Sequence, residues 1–139
     1  MKSDEVSAEL SALFSEFLPY ELATRYCTAL ELKPHRWHQI DPWMTWHFVG
    51  PSGISEWHDG GEALLCTEPF CRLASSPVAV LRCGHDRAAL ERVALRDALV
   101  GDRAVCEGFV SVTPGQLGLA INHDGGICVM CRQETPADQ

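Results

Sequence analysis

The residues of this 139-residue chain best suited to chemistry are its seven cysteines, Cys27, Cys66, Cys71, Cys83, Cys106, Cys128 and Cys131. Two close pairs stand out, Cys66 with Cys71 and Cys128 with Cys131. Zinc takes thiolates in a tetrahedron with Zn–S near about 2.3 Å, and short cysteine pairs are its commonest supply. The spacing therefore predicts one structural zinc ion held by Cys66, Cys71, Cys128 and Cys131. Four thiolates leave such a site with surplus negative charge, so Arg72 and Arg132, each directly following a pair, are expected beside it as cations that offset that charge. A competing tetrahedron is Cys83, His85, Cys128 and Cys131, using the turn Cys83-Gly84-His85, and His58 and His123 are further alternative ligands. A third reading needs no metal: thiols also serve as small apolar fillers, which suits Cys27 and Cys106.

Both cysteine pairs stand downstream of the same four residues, His58-Asp59-Gly60-Gly61 and His123-Asp124-Gly125-Gly126. Asp-Gly supplies the positive φ that tight hairpins require, so each copy is expected to turn a hairpin. Three of the four tryptophans precede a histidine, at Trp37-His38, Trp46-His47 and Trp57-His58. His47 and His58 on neighbouring strands would give an open, histidine-lined metal site, the alternative reading of a small metalloenzyme. No nucleophile elbow, Walker loop, Gly-x-Gly-x-x-Gly or His-Glu-x-x-His supports a particular enzyme class.

The stretch Cys128-Val129-Met130-Cys131-Arg132-Gln133 is similar to the Cys-x-x-Cys-Arg-Gln segment of zinc-dependent cytidine deaminases. Those enzymes also need, upstream, a His or Cys followed two residues later by a catalytic Glu. No such motif stands at a suitable distance here, and the family continues from this segment into a helix. The six-residue likeness implies zinc ligation and carries no activity with it.

Positioning these side chains falls to an α+β fold, read as one domain over residues 1–139. A helical segment covers 4–33, a β-rich cysteine-containing segment 43–131, and a flexible tail 134–139. Val6, Leu10, Leu13, Phe14, Phe17 and Leu18 recur at spacings of three and four, the stripe of an amphipathic helix. Pro19 breaks it, and a second helix from Tyr20 to about Leu32 turns Leu22, Tyr26 and Leu30 inward. The pair is expected as a helical hairpin on a mainly antiparallel sheet. Trp43–Val49, Ile54–Trp57 and Glu62–Cys66 are expected strands, the last two forming the first Asp-Gly hairpin. Val78–Cys83 is a continuous apolar run, as in a strand buried on both faces. Asp86 caps an expected helix over Arg87–Val100 that Gly101 stops, and Ala104–Val112 alternates as a strand, giving one strand-helix-strand unit. Leu117–Asn122 and Ile127–Met130 form the second hairpin.

Acidic residues outnumber basic ones by 19 to 11, for a net charge of −8. A phosphate backbone is repelled by such a surface, so no nucleic-acid partner is expected. No run of about 18 apolar residues predicts a membrane span, and the N-terminus lacks the apolar core of a secretory signal. An odd number of thiols without an export signal points to reduced cysteines and the cytoplasm. The function that combines these features is a small zinc-binding regulator or inhibitor acting through contact with a basic protein partner. Asp4, Glu5, Glu9, Glu16, Glu21 and Glu31 would place the acidic surface on the helical pair.

Overall fold

In a computed structural model, residues 2–31, 40, 53–58, 60–83, 89–122 and 126–132 are described. Two helices, α1 (Lys2–Phe17) and α2 (Tyr20–Glu31), precede strand β1 (Gly53–His58). Two short helices, α3 (Gly61–Leu64) and α4 (Phe70–Leu73), lead to β2 (Pro77–Arg82) and β3 (Ala89–Ala94). Another short helix, α5 (Leu95–Leu99), then β4 (Gly108–Thr113), β5 (Leu117–Ile121) and β6 (Ile127–Arg132) follow. The strands form a six-stranded sheet in the order β1-β6-β5-β4-β2-β3, and every neighbouring pair is antiparallel. An N-terminal helical pair on an antiparallel sheet is the expected α+β architecture. Trp43–Val49 lies outside the described residues.

Alternation along each strand splits the core into two. On one face, α1 and α2 bury Leu10, Leu13, Phe14, Phe17, Tyr26 and Leu30 against Ala79, Leu81, Phe109, Ala120 and Met130. On the other, the short helices bury Leu64, Phe70, Leu95 and Leu99 against Val78, Val80, Val110, Leu119 and Val129. The periodic residues expected to face inward on α1 and α2 all do so. Phe14 sits edge-on to Phe109 at 5.0 Å and to Tyr26 at 5.5 Å, so one cluster of rings ties both helices to β4. Beside it, Gly118 on β5 is required by close approach, because a Cβ there would meet Leu13 Cδ1. The apolar run expected as a strand buried on both faces is β2, whose Val78, Ala79, Val80 and Leu81 are all buried.

Two expectations are corrected. Residues 89–94 are a strand paired to β2 in place of the first half of a helix. Leu90 packs on the helical side and Val93 on the other, so the segment's period is two. Pairing with β2 outweighs the helix preference of Ala-Leu-Glu-Arg. Arg92 reaches Glu9 on α1 at 3.1 Å, and Glu91 receives Arg82 Nε at 2.8 Å, fixing the strand from both faces. What remains of the expected helix is α5, ended as anticipated near Gly101 at φ 92°.

The first Asp-Gly hairpin is the second correction. Residues 61–64 turn into α3, and β1 pairs instead with β6, from Gly53 opposite Arg132 to His58 opposite Ile127. The second hairpin forms as expected between β5 and β6, with the Asn122 amide donating to the Gly126 carbonyl at 3.0 Å. The described flanks of the two copies, His58 and Gly60 in one and Asn122 and Gly126 in the other, thus stand at the same end of the sheet.

Gly61 belongs to the first repeat, and its value is lack of a side chain, since a Cβ would overlap the Leu99 carbonyl of α5. Gly61→Ala is expected to lower stability by about 1–3 kcal/mol, the usual cost of overpacking. Urea denaturation measures it, and an unchanged midpoint would show that α3 and α5 do not meet this closely.

Candidate functional site

Strand geometry decides where the thiols go. Successive side chains of a strand alternate between faces, so positions three apart on β6 point to opposite sides. Cys128 is buried with Ala120 and Met130 beneath the helical pair. Cys131 is exposed and lies across from Leu117, which belongs to the other core. The sheet therefore stands between the two thiols that were expected to share an ion. Cys66 and Cys71 are exposed near α3 and α4, on the Cys131 side. Arg132 returns to the helical face, where its Nε lies 3.3 Å from Glu16 Oε1. Arg72 pairs with Glu68 at 3.5 Å, in solvent. The set Cys66, Cys71, Cys128 and Cys131, with Arg72 and Arg132 beside it, is not assembled.

Of the alternative ligands, Cys83 is buried beneath the helices and its amide donates to the Glu107 carbonyl at 2.9 Å. His58 closes β1 and is half-buried. His85, His123 and His47 lie outside the described residues. Among the described residues, no three His, Cys, Asp or Glu side chains group to hold a metal ion. Cys27 is half-buried, whereas Cys106, expected as a core filler, is exposed.

Burial also sets thiol chemistry. Loss of hydration disfavours the thiolate of Cys128 and pushes its pKa up to about 11. Partial desolvation, then the adjacent Glu68 carboxylate, raises that of Cys71. Neither is activated as a nucleophile, because the reactive form is the thiolate.

The surface that gathers distinctive side chains is the outer face of α1 and α2. A groove of about 560 Å³ runs between the end of α1 and the length of α2. Leu18, Pro19 and Ala23 give it apolar walls, and Ser15, Thr24, Cys27 and Thr28 supply small polar ones. Among the described residues, its charged members are Glu16 and Glu31. Tyr20, also in the lining, is 85% exposed. Cys27 Sγ lies 3.9 Å from Ser15 Oγ and donates to the Ser11 carbonyl at 3.7 Å, joining the helices across the groove.

Charge around the groove is uneven. Glu9 and Glu16 are neutralised by Arg92 and Arg132. Glu5, Glu21 and Glu31 are exposed, and no ion pair engages them among the described residues. Sequence reasoning found the acidic helices but not the groove. Its signal was the stripe Tyr20, Ala23-Thr24, Cys27-Thr28 and Glu31, which repeats at helical spacing beside the inward-facing one. Comparison with protein-family models, curated proteins and solved structures found no match.

The thiol assignment has a direct check. Cys131→Ser is expected to change stability by less than about 0.5 kcal/mol as a surface substitution. Cys128→Ser should cost about 1–3 kcal/mol by burying a hydroxyl. Shared zinc ligation would make both substitutions costly. A Cys128 pKa raised from 9.0 to about 11 also means that the unfolded chain loses this proton first. Its stabilising contribution is complete below pH 9 and is lost as pH rises toward about 11. Denaturation midpoints across that window should fall less in Cys128→Ala than in wild type.

Proposed function

We propose that this protein works by stoichiometric contact, as a regulator or inhibitor that docks the outer face of its helical pair on a basic partner protein. The observation that supports the reading best is the acidity of that face, where Glu5, Glu21 and Glu31 are exposed with no ion-pair partner among the described residues, and where Tyr20 is exposed as well. Two independent devices would serve such contact. Carboxylates at net charge −8 steer an oppositely charged surface during approach. An exposed tyrosine beside a groove offers the amphipathic ring that interface centres favour.

The rest of the molecule holds that face in position. No helix among the described residues is long and apolar enough to cross a membrane. The sheet's other face is covered by its own short helices, and the groove lies on the outer side of α1 and α2.

The test compares two variants of equal charge change. In the first, Glu5, Glu21 and Glu31 become Gln. In the second, Glu62 and Glu68 become Gln and Asp102 becomes Asn, all exposed on the short-helix side. Wild type and the second variant should retain the same basic protein from a lysate at low ionic strength. That protein should be released near 1 M salt, where screening acts within about 3 Å. The first variant should retain little. Equal losses in both variants would reduce the effect to net charge and defeat the assignment to the helical face.

A further inference from the structure

Resting on that reading, we infer that the groove along α2 is the docking site for an apolar-basic segment of the partner protein, about three helical turns long. Length comes from α2 itself. The lining residues Tyr20, Ala23, Thr24, Cys27, Thr28 and Glu31 form one stripe along α2. At 1.5 Å per residue the stripe is about 16 Å long, which accommodates about eleven residues of a second helix.

The chemistry of the occupant follows from the walls. Leu18, Pro19 and Ala23 call for an apolar side chain near the start of α2, beside the Tyr20 ring. Glu31, exposed three turns away and without an ion-pair partner among the described residues, calls for a cation at the far end. Arg25, the one basic residue of α2, lies outside the described lining, whose charged residues are Glu16 and Glu31. At Glu16 the molecule supplies its own precedent, for the Arg132 guanidinium sits 3.3 Å from that carboxylate while remaining 60% exposed. Arg132 is thus a weak internal competitor for one of the two acidic positions. An amphipathic helix laid into such a groove would read it through residues three and four apart.

Cys27 reports on occupancy, because it lies in the groove, whereas Cys66, Cys71 and Cys106 are exposed elsewhere. The probe is a model peptide of about eleven residues of lysine, leucine and alanine, apolar on one helical face. A counterpart carries glutamate for lysine. Alkylation of each cysteine of the full chain by iodoacetamide is followed by mass spectrometry as peptide is added. The lysine peptide should slow Cys27 several-fold and leave Cys66, Cys71 and Cys106 unchanged, and the glutamate peptide should do nothing. Glu31→Gln should weaken the protection. Arg132→Ala should strengthen it by about two- to five-fold, the range an exposed ion pair supports, while Arg72→Ala has no effect.

Cys27 reactivity unchanged at saturating peptide would overturn the assignment of the groove. If the basic partner is still retained by Glu5, Glu21 and Glu31, the proposed function survives that failure. If neither is seen, both fall. Protection by free lysine or arginine equal to that by the peptide would make this a small-cation site. Protection that grows with protein concentration alone would assign the groove to a second copy of the chain. Either result overturns the proposal.

Discussion

The contact of Phe14, Tyr26 and Phe109 is the constraint on which the arrangement depends. One ring comes from each helix and one from β4, and their centroids lie 5.0–6.3 Å apart in edge-on geometry. Such pairs contribute about 0.5–1.5 kcal/mol each beyond the area they bury. Their directionality matters as much as their strength. Edge-to-face packing fixes the rotation of both helices about their axes, and rotation decides which residues of α2 look outward. With Tyr26 held inward, Tyr20, Thr24 and Glu31 are delivered to solvent on the remaining arc. Gly118 completes the seat by letting Leu13 approach the sheet closely.

The sheet also acts as a partition. Arg132 and Cys128 belong to the helical side, and Cys131 to the other, although they are near neighbours in sequence. Two consequences follow. Cationic charge at the end of β6 is spent on Glu16 and not on thiolates. The polar fastenings of β3 are likewise divided, with Arg92 bound to α1 and Arg82 holding both Glu91 and the Arg103 carbonyl. The acidic face is therefore partly compensated at its border with the sheet, while Glu21 and Glu31 of α2 have no ion-pair partner among the described residues.

How much of this was legible in sequence varied with the range of the interactions involved. The helices were readable because Val6, Leu10, Leu13 and Phe17, and then Leu22, Tyr26 and Leu30, carry the period of a helix buried on one side. Pro19 marked the break. β2 was readable from an unbroken apolar run. β3 was not, because Leu90, Val93 and Ala94 satisfy both periods over so short a stretch, and only the neighbouring strand decides between them. β1 was placed nearly correctly and its partner was missed, since local turn chemistry pointed to residues 62–66 while the pairing surface lay at β6. The cysteine spacing misled for a related reason. A strand was expected over Ile127–Met130, one residue short of Cys131; β6 runs on through Arg132, so strand alternation sends Cys128 and Cys131 to opposite faces. The groove depends on how two helices sit against each other, so sequence held only one of its walls.

The position of β6 bears on the order in which the chain can be built. Among the described strands, β1 has one neighbour, and that neighbour is the farthest from it in sequence. During synthesis β1 leaves the ribosome long before β6 exists, with its hydrogen-bonding edge unmatched. Meanwhile α1, α2, β2, β3 and β4 can already join around the three rings. Pairings between distant segments carry a large loop-closure cost and form slowly. The sheet thus grows from its β3 edge toward β1, and β1 is a late addition whose exposure before release makes it the segment most in need of protection from association with other nascent chains.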